Sequence, residues 1–319
     1  MIDFASAAML RVLRQGMRDL GIAVQDRIDD ADHARVPLSL KQDIVRSAML
    51  HGGIGCLPLL GRGLHRLRHE PTHQALAAAR DAHDLFQRWQ RLERYIHSRH
   101  RCLIDSCSTD EAWIHHVTLG AGPVPSAAED LVVAGVLAAL LEAIGLSDVQ
   151  LWIDGVMAFP GAQAQELAQA TERGATSRWR FCWNSSRSRV RSTGAATLAF
   201  ELGADVLWPE WVRSAYLQLV TDLTRPLTLP ELALELGLPV RTLQRRLSET
   251  GMSYSRLLAE ARCRTGAWRL LHTLDPIAEV GFLSGFSDQS HFTREMQRRV
   301  GMPPAAYREA FGISRPLTV

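Results

Sequence analysis

The sequence contains almost no lysine and little cysteine. Lys41 is the only lysine among the 36 basic residues, a skew that predicts no function by itself. The five cysteines include no Cys-x-x-Cys pair, so neither a disulfide framework nor a closely spaced zinc motif is predicted. Phosphate loops, nucleophile elbows and paired-carboxylate patterns are also missing. The sequence therefore predicts no enzymatic activity, no metal site and no cofactor.

Long hydrophobic runs are absent as well. The longest apolar run, Leu131 to Leu146, has sixteen residues and contains Glu142, which is short for a membrane span and typical of a buried helix. The first residues do not resemble a signal peptide. We therefore expect a cytoplasmic protein with free thiols and no membrane partner. With 319 residues and 46% hydrophobic content, the chain is long enough for two globular domains.

The C-terminal part contains a helix–glycine–helix pattern. Apolar residues recur at helical spacing before Gly285, and glycine is a common residue at the end of a helix. Ser287 or Asp288 can cap the helix that follows, which Gly301 and Pro303-Pro304 end. The predicted inward residues of this unit are Ile277, Val280, Leu283, Phe292, Met296 and Val300.

Polar side chains occupy the other face of the second helix. Glutamine pairs well with adenine, arginine with guanine, and the threonine methyl with thymine. Taken alone, the pattern also fits an ordinary helical hairpin with a polar surface. The candidate DNA-binding residues here are Gln289, Ser290, Thr293, Arg294 and Arg298.

A similar pattern precedes it. Gly237-Leu238-Pro239 forms the predicted turn, and the helix from Val240 to Thr250 directs Leu243 and Leu247 inward. Pro239 stands where a capping residue is expected, and it has no capping hydroxyl. The outward candidates for DNA contact are Arg241, Thr242, Gln244 and Arg245.

A long helix is predicted to connect the two units. Ser253 can cap a helix from about Tyr254 to His272, and nineteen residues at 1.5 Å each give roughly 28 Å. Successive major-groove faces lie about 34 Å apart. A connector of this length allows two helices to read neighbouring turns of one duplex.

The run from Ile277 to Arg294, continued by Gly301 to Arg308, closely resembles the signature of the AraC/XylS family of transcription regulators. The first unit is also similar to this family, whose first recognition helix usually opens with a capping serine. The resemblance implies that a monomer inserts two helices into successive major grooves of double-stranded DNA. It also implies an activator that contacts RNA polymerase.

The remainder of the sequence predicts an α+β N-terminal domain, residues 1–205, before an all-α domain, residues 206–319. The N-terminal domain combines helices with a small mixed or antiparallel sheet. Helices are predicted at Ala7–Leu20, Pro37–His51, Ser126–Ile144 and Ala162–Thr171, and one or two helices at Thr72–Arg99. Strands are predicted at Arg101–Ser106, Glu111–Leu119, Val149–Ile153, Trp179–Trp183 and Ala195–Leu202.

The stretches Gly21 through Pro37-Leu38 and Arg88 to Tyr95 resemble, more weakly, the effector domain of one branch of the family. That resemblance implies binding of a small molecule and formation of a homodimer. Residues on or near the predicted strands could line such a pocket, although aromatic residues there are more often plain core. The candidate effector-binding residues are Trp113, Trp152, Trp179, Trp183 and Arg180.

Other interpretations stay open at this point. The arginines from Arg173 to Arg191, a window without acids, suit an anionic ligand, a DNA-facing patch or a solvated loop. Cys102, Cys107, His115 and His116 have spacing that does not favour a metal site. The alternatives to effector control are a constitutive DNA binder whose N-terminal domain only dimerises, and a redox or metal sensor. The effector, the target promoters and the sign of regulation are not specified by the sequence.

Overall fold

The computed structural model describes residues 4–24, 35–68, 70–96, 100–120, 123–184, 208–224 and 226–313. The chain forms two compact units. The first contains Met1–Arg66 and Leu76–Val190, and the second contains Leu67–Ala75 and Arg191–Val319. The predicted strand Ala195–Leu202 and the predicted boundary after residue 205 lie outside the described residues. Across the described ranges, no helix is both long and apolar enough to cross a membrane.

Helices make up most of the N-terminal part of the chain. Ser6 caps the first by accepting a hydrogen bond from the Met9 N–H, and Ser126 and Glu129 form a reciprocal capping box on the fifth. The elements are α1 (Ala7–Asp19), α2 (Leu38–Gly52), a 3₁₀ segment (Ile54–Arg66), α3 (Pro71–Ala77), α4 (Ala82–Ile96), α5 (Ala127–Ala143) and α6 (Ala164–Glu172).

Helix α5 is the centre of the first unit. It is apolar on all sides and its residues from Glu129 to Leu141 are buried, as expected for a helix enclosed by other elements. Gly135 permits its backbone to approach the 3₁₀ segment, since a Cβ at this position would lie 2.0 Å from the Pro58 carbonyl oxygen. The predicted buried helix over the longest apolar run is confirmed.

An antiparallel sheet packs against these helices. Among the described residues its strand order is β3–β4–β7–β5–β6, and β1 and β2 pair separately. Buried and exposed residues alternate along β4 and β7, so one face contacts the helices and the other faces outward. The strands are β1 (Phe4–Ser6), β2 (Arg35–Pro37), β3 (His100–Cys107), β4 (Glu111–Thr118), β5 (Ser147–Ile153), β6 (Val156–Phe159) and β7 (Arg178–Asn184).

The described C-terminal part is all helical. The predicted class, an α+β region followed by an all-α region, is therefore confirmed. The short strands β1, β2 and β6, the 3₁₀ segment and the first and last C-terminal helices were not predicted. These helices are α7 (Glu210–Thr221), α8 (Leu229–Glu235), α9 (Val240–Glu249), α10 (Tyr254–His272), α11 (Ile277–Leu283), α12 (Gln289–Val300) and α13 (Pro304–Phe311).

Candidate nucleic-acid interface

Helices α8 and α9 form the first helix-turn-helix unit. Thr228 and Glu231 make a capping box at the start of α8. The turn passes through Gly237, whose φ of +64° is a left-handed conformation that glycine adopts without steric cost. Helix α9 begins directly after Pro239, which contributes no side-chain cap. The helix is nevertheless complete, because Leu243 and Leu247 are buried in the core of the unit.

Helices α11 and α12 form the second unit around Gly285. Gly285 has a φ of +79°, and a Cβ added here would lie 2.2 Å from the Leu223 carbonyl oxygen. The next residue, Phe286, is buried and donates its N–H to the Gly281 carbonyl at 3.0 Å. The turn therefore requires glycine for two reasons, its backbone conformation and its close contact with another main chain.

Asp288 is the residue that caps α12. Its Oδ1 accepts a hydrogen bond from the His291 N–H at 2.7 Å. The pKa of Asp288 is lowered by this backbone bond and by the hydroxyl of Ser287. Of the two caps that the sequence allowed, the structure shows the aspartate.

Helix α10 connects the two units and belongs to both cores. Ser253 caps it by accepting from the Arg256 N–H at 3.1 Å, as predicted. Leu257 and Ala261 in its first half lie in the core of the first unit. In its second half, a Cβ at Gly266 would lie 2.7 Å from the Phe292 ring of α12. The connection between the two units is thus a packed helix.

The outward faces of α9 and α12 hold the predicted DNA contacts. Six of these side chains are exposed: Arg241, Gln244, Arg245, Gln289, Ser290 and Arg294. Thr242, Thr293 and Arg298 are half-buried. The structure brings each set together on one helix, and the contacts with DNA stay a prediction.

Some arginines of this region form ion pairs within the protein, and others form none over the described ranges. Arg299 is nearly buried and lies 2.8 Å from Glu260 and 3.0 Å from Glu295. Arg298 pairs with Glu295 at 2.7 Å. The hydrogen bonds from these arginines lower the pKa of Glu295 to about 2. Arg298 and Arg299 therefore stabilise the packing of α12 within the protein.

Of the other arginines predicted to contact DNA, two form no ion pair within the described part of the chain. Arg245 pairs with Glu249 at the exposed end of α9. Arg241 and Arg294 are exposed and form no ion pair within the described part of the chain. Their guanidinium groups are available to an external anion without breaking an internal contact.

The predicted effector residues do not form one pocket. Trp113, Arg180 and Trp152 stand side by side across three strands on the outward face of the sheet. Arg180 lies over the Trp113 ring at 5.8 Å and also pairs with Glu111. By contrast, Trp179 and Trp183 are buried on the helix-facing side. Three of the five residues thus form a row on the outward face of the sheet, and the two buried tryptophans belong to the core.

The arginine-rich window is likewise partly neutralised by acids from elsewhere in the sequence. Arg173 pairs with Asp154, and Arg180 with Glu111. Arg187, Arg189 and Arg191 lie outside the described residues. The window itself contains no acid, and the two partners come from positions distant along the chain.

A buried polar cluster around Lys41 was missed by the sequence reasoning. The only lysine of the chain is 1% exposed, and its Nζ lies 3.7 Å from Glu129 Oε1. Burial lowers the pKa of Lys41, while Glu129 opposes this effect. The one signal in the sequence is the uniqueness of this lysine, which predicts no function by itself.

Two histidines lie beside this pair. His116 Nδ1 contacts Asp130 Oδ1 at 2.8 Å, and the Thr176 hydroxyl donates to Asp130 Oδ2 at 2.6 Å. Burial and the charge of Lys41 lower the pKa of His116 to about 3, and burial raises that of Asp130 to about 7. The ring of His100 packs against the His116 ring with centroids 5.4 Å apart.

Glu93 completes the cluster. Its carboxylate accepts hydrogen bonds from the Trp89 indole at 2.7 Å and from the Cys102 N–H at 3.0 Å. Burial nevertheless raises the pKa of Glu93 to about 7. Lys41, Glu93, His100 and His116 share a cavity of about 30 Å³ with apolar neighbours, which are Ala5, Met9, Trp89 and Val133, together with Ser6.

The cysteines do not form a reactive centre. All are free thiols, and Cys56, Cys102 and Cys263 are buried. Burial raises the pKa of each thiol, that of Cys263 to about 12. Since the thiolate is the reactive form, these environments oppose redox chemistry at neutral pH. In the part of the chain that the structure describes, no group of three or more His, Cys, Asp or Glu residues is arranged to hold a metal ion.

Comparison with known proteins identifies the C-terminal region. A family model described as a helix-turn-helix domain matches residues 232–310. Over 91 residues the chain is 38% identical to the ornithine utilization regulator of Pseudomonas aeruginosa, covering 28% of this chain and 27% of that protein. Over 80 residues it is 34% identical to the HTH-type transcriptional activator RhaS of Yersinia pestis, covering 25% and 29%. The chain thus matches little more than a quarter of the length of these relatives.

Part of the chain is also similar to a solved structure. The C-terminal domain of AraT, a response regulator from Geobacillus stearothermophilus, is 29% identical, with a TM-score of 0.30. The match covers 34% of this chain and 90% of that chain. The two helix-turn-helix units, the family model over residues 232–310 and the partial sequence identity to transcription regulators agree with the predicted resemblance. The C-terminal region of this protein is a helix-turn-helix domain of the AraC type.

Proposed function

We propose that the protein is a sequence-specific DNA-binding transcription regulator that places α9 and α12 in successive major grooves of one duplex. The observation that carries this proposal is the pair of exposed polar faces on the second helices of the two units. A helix in the major groove reads sequence with its first turns. Arg241, Gln244, Gln289 and Arg294 lie in these parts of α9 and α12.

The helix between the units supports this arrangement. Helix α10 has 19 residues and packs against both cores, so it acts as a rigid spacer. Its length is roughly 28 Å, close to the separation of about 34 Å between adjacent major-groove faces. A site read in this manner is asymmetric, because the two recognition helices have different side chains.

Charge placement indicates which residues contact the duplex. The whole chain has a net charge of only +2, so general attraction to DNA is weak and individual contacts dominate. Arg241 and Arg294 have no internal ion pair in the described residues and suit this role. Arg298, also predicted as a contact, would have to leave Glu295 to reach a phosphate or a base.

Control by a small molecule is the second part of the proposal. The support for it is the partly polar cavity beside Lys41 in the first unit, since ligand sites combine apolar walls with a few placed polar groups. A ligand bound there would change the population of DNA-binding states. A homodimer and contact with RNA polymerase belong to the same proposal on the resemblance alone. A cytoplasmic location is also proposed, and the free cysteines support it. The raised thiol pKa values oppose the redox-sensor alternative.

Selection of binding sites from a randomised DNA pool tests the first part. We expect the wild-type protein to select two short motifs about one helical turn apart. Arg294→Ala should lose about 1–3 kcal/mol on the selected site and relax the preference at one base position. Equal weakening on all sequences would instead assign Arg294 to a phosphate.

Arg46→Ala serves as the matched control. It removes the same charge from an exposed helical position in the first unit, so a general electrostatic effect would appear in both variants. Failure of the wild-type protein to prefer any sequence over random competitor would refute the proposal. Binding that is insensitive to every small molecule, with the selected motifs intact, would favour the constitutive alternative.

A further inference from the structure

We propose that the cavity beside Lys41 binds a small neutral aldehyde or ketone and that the Lys41 amine forms a reversible imine with its carbonyl carbon. The proposal names a chemical class for the effector. A role of this site in regulation rests on the proposed function. Imine formation itself is measured without DNA.

The environment of the amine is the first argument. The Lys41 side chain is 2% exposed, and its Nζ has one partner among the described residues, Glu129 Oε1 at 3.7 Å. That distance is longer than a hydrogen bond, and Glu129 Oε1 has no hydrogen-bond partner either. An ammonium group has three donors, and leaving them unused in a buried site is costly. The amine lines a cavity in which another group can be accommodated.

The size and lining of the cavity indicate the ligand class. A water molecule needs roughly 10–15 Å³ of such space, so about 30 Å³ admits a ligand of about two or three heavy atoms. The apolar side of the cavity is formed by Ala5, Met9 and Val133. Glu129 lies beside Lys41, Glu93 lines the same cavity, and Asp130 also acts electrostatically on the lysine, so a further anion is disfavoured. A short uncharged carbonyl compound satisfies both conditions.

The reaction is balanced with the groups present. The unprotonated amine attacks the carbonyl carbon, a C–N bond forms as the C=O π bond breaks, and one N–H proton passes to the carbonyl oxygen. The resulting carbinolamine loses its hydroxyl group together with the second N–H proton as water, which leaves a C=N bond. Burial favours the unprotonated amine, as in other lysines that form Schiff bases. Glu93, His100 and His116 line the same cavity and can transfer these protons.

Reductive trapping on the full-length protein tests the proposal. The probe is acetaldehyde with sodium cyanoborohydride, and peptide mass mapping locates the ethyl group. Because Lys41 is the only lysine, every ε-amine adduct arises from this position. We expect Lys41 to be labelled faster in the native protein than in the urea-unfolded chain, because burial lowers the pKa of its amine. Added Nα-acetyl-lysine amide reports the reagent activity under both conditions.

Two variants control for the site. Lys41→Arg keeps a positive charge beside Glu129 but cannot form the imine, so its peptide should remain unmodified. Met9→Phe reduces the cavity and leaves the lysine in place, and it should slow labelling of the native state only. Slower labelling of native than of unfolded wild-type chain would overturn the proposal, since it would show a merely protected lysine. Loss of sequence-specific DNA binding would refute the proposed function and leave the labelling result unaffected.

Discussion

The two helix-turn-helix glycines permit a direct test of how the second unit is stabilised. Gly237 and Gly285 occupy equivalent turns and have similar left-handed φ values of +64° and +79°. A Cβ at Gly237 would meet no atom within 4 Å, whereas a Cβ at Gly285 would lie 2.2 Å from the Leu223 carbonyl oxygen. The pair therefore separates the cost of the backbone conformation from the cost of the contact.

The expected magnitudes differ accordingly. A left-handed conformation costs a non-glycine residue about 1–2 kcal/mol, so Gly237→Ala should lower the free energy of unfolding by this amount. Gly285→Ala adds overpacking against a main-chain atom, which typically costs a further 1–3 kcal/mol or so. The total for Gly285→Ala is then roughly 2–5 kcal/mol.

Urea denaturation followed by circular dichroism measures both variants. Hydrogen exchange of peptides from α11 and α12 adds local information, because a chain with two units need not unfold in one step. We expect faster exchange of these peptides in Gly285→Ala than in Gly237→Ala. Equal destabilisation of the two variants would refute the assignment of a close contact at Gly285.

Three further predictions concern the cluster and the caps. Lys41→Met should destabilise the protein by about 3–5 kcal/mol by leaving Glu129 buried without its partner, and adding Glu129→Gln should restore much of this loss in a double-mutant cycle. Because the pKa of Glu93 rises from 4.5 to about 7 on folding, the folded chain binds the extra proton. The stability of the wild type relative to Glu93→Gln should therefore fall between about pH 4.5 and 7, by roughly 3 kcal/mol, and a pH-independent difference in urea melts would contradict this. Thr228→Ala removes one capping bond of α8 and should cost about 1 kcal/mol, and an unchanged denaturation midpoint would argue against that cap.

The parts of the fold that were predictable depend on local signals. The caps Ser253 and Asp288 and the turn glycines determine the structure of residues close to them in the chain, so a single sequence contains the information. The strands β1, β2 and β6 have three or four residues, too few for an alternating pattern to be recognised. The 3₁₀ segment contains several glycines and Pro58, which usually indicate a loop.

The candidate sites were predictable to different extents. Period-two alternation separates Trp179 from Arg180, and the pairing of Arg180 with Trp113 and Trp152 depends on strand register. The Lys41 cluster joins α2, α4, β3, β4 and α5, which come from separate parts of the sequence. The sequence shows that Lys41 is the only lysine among many arginines. It does not show that Lys41 is buried, because the burial arises from the tertiary fold.

The sharing of α10 by the two cores has a consequence for operator architecture. A flexible linker would tolerate base pairs inserted between the two bound segments, because each unit could follow its own groove. A common helix cannot lengthen, and one inserted base pair turns the second groove by roughly 34–36° around the duplex axis. Operators of this protein should therefore vary in base sequence within each segment while the number of base pairs between them is invariant.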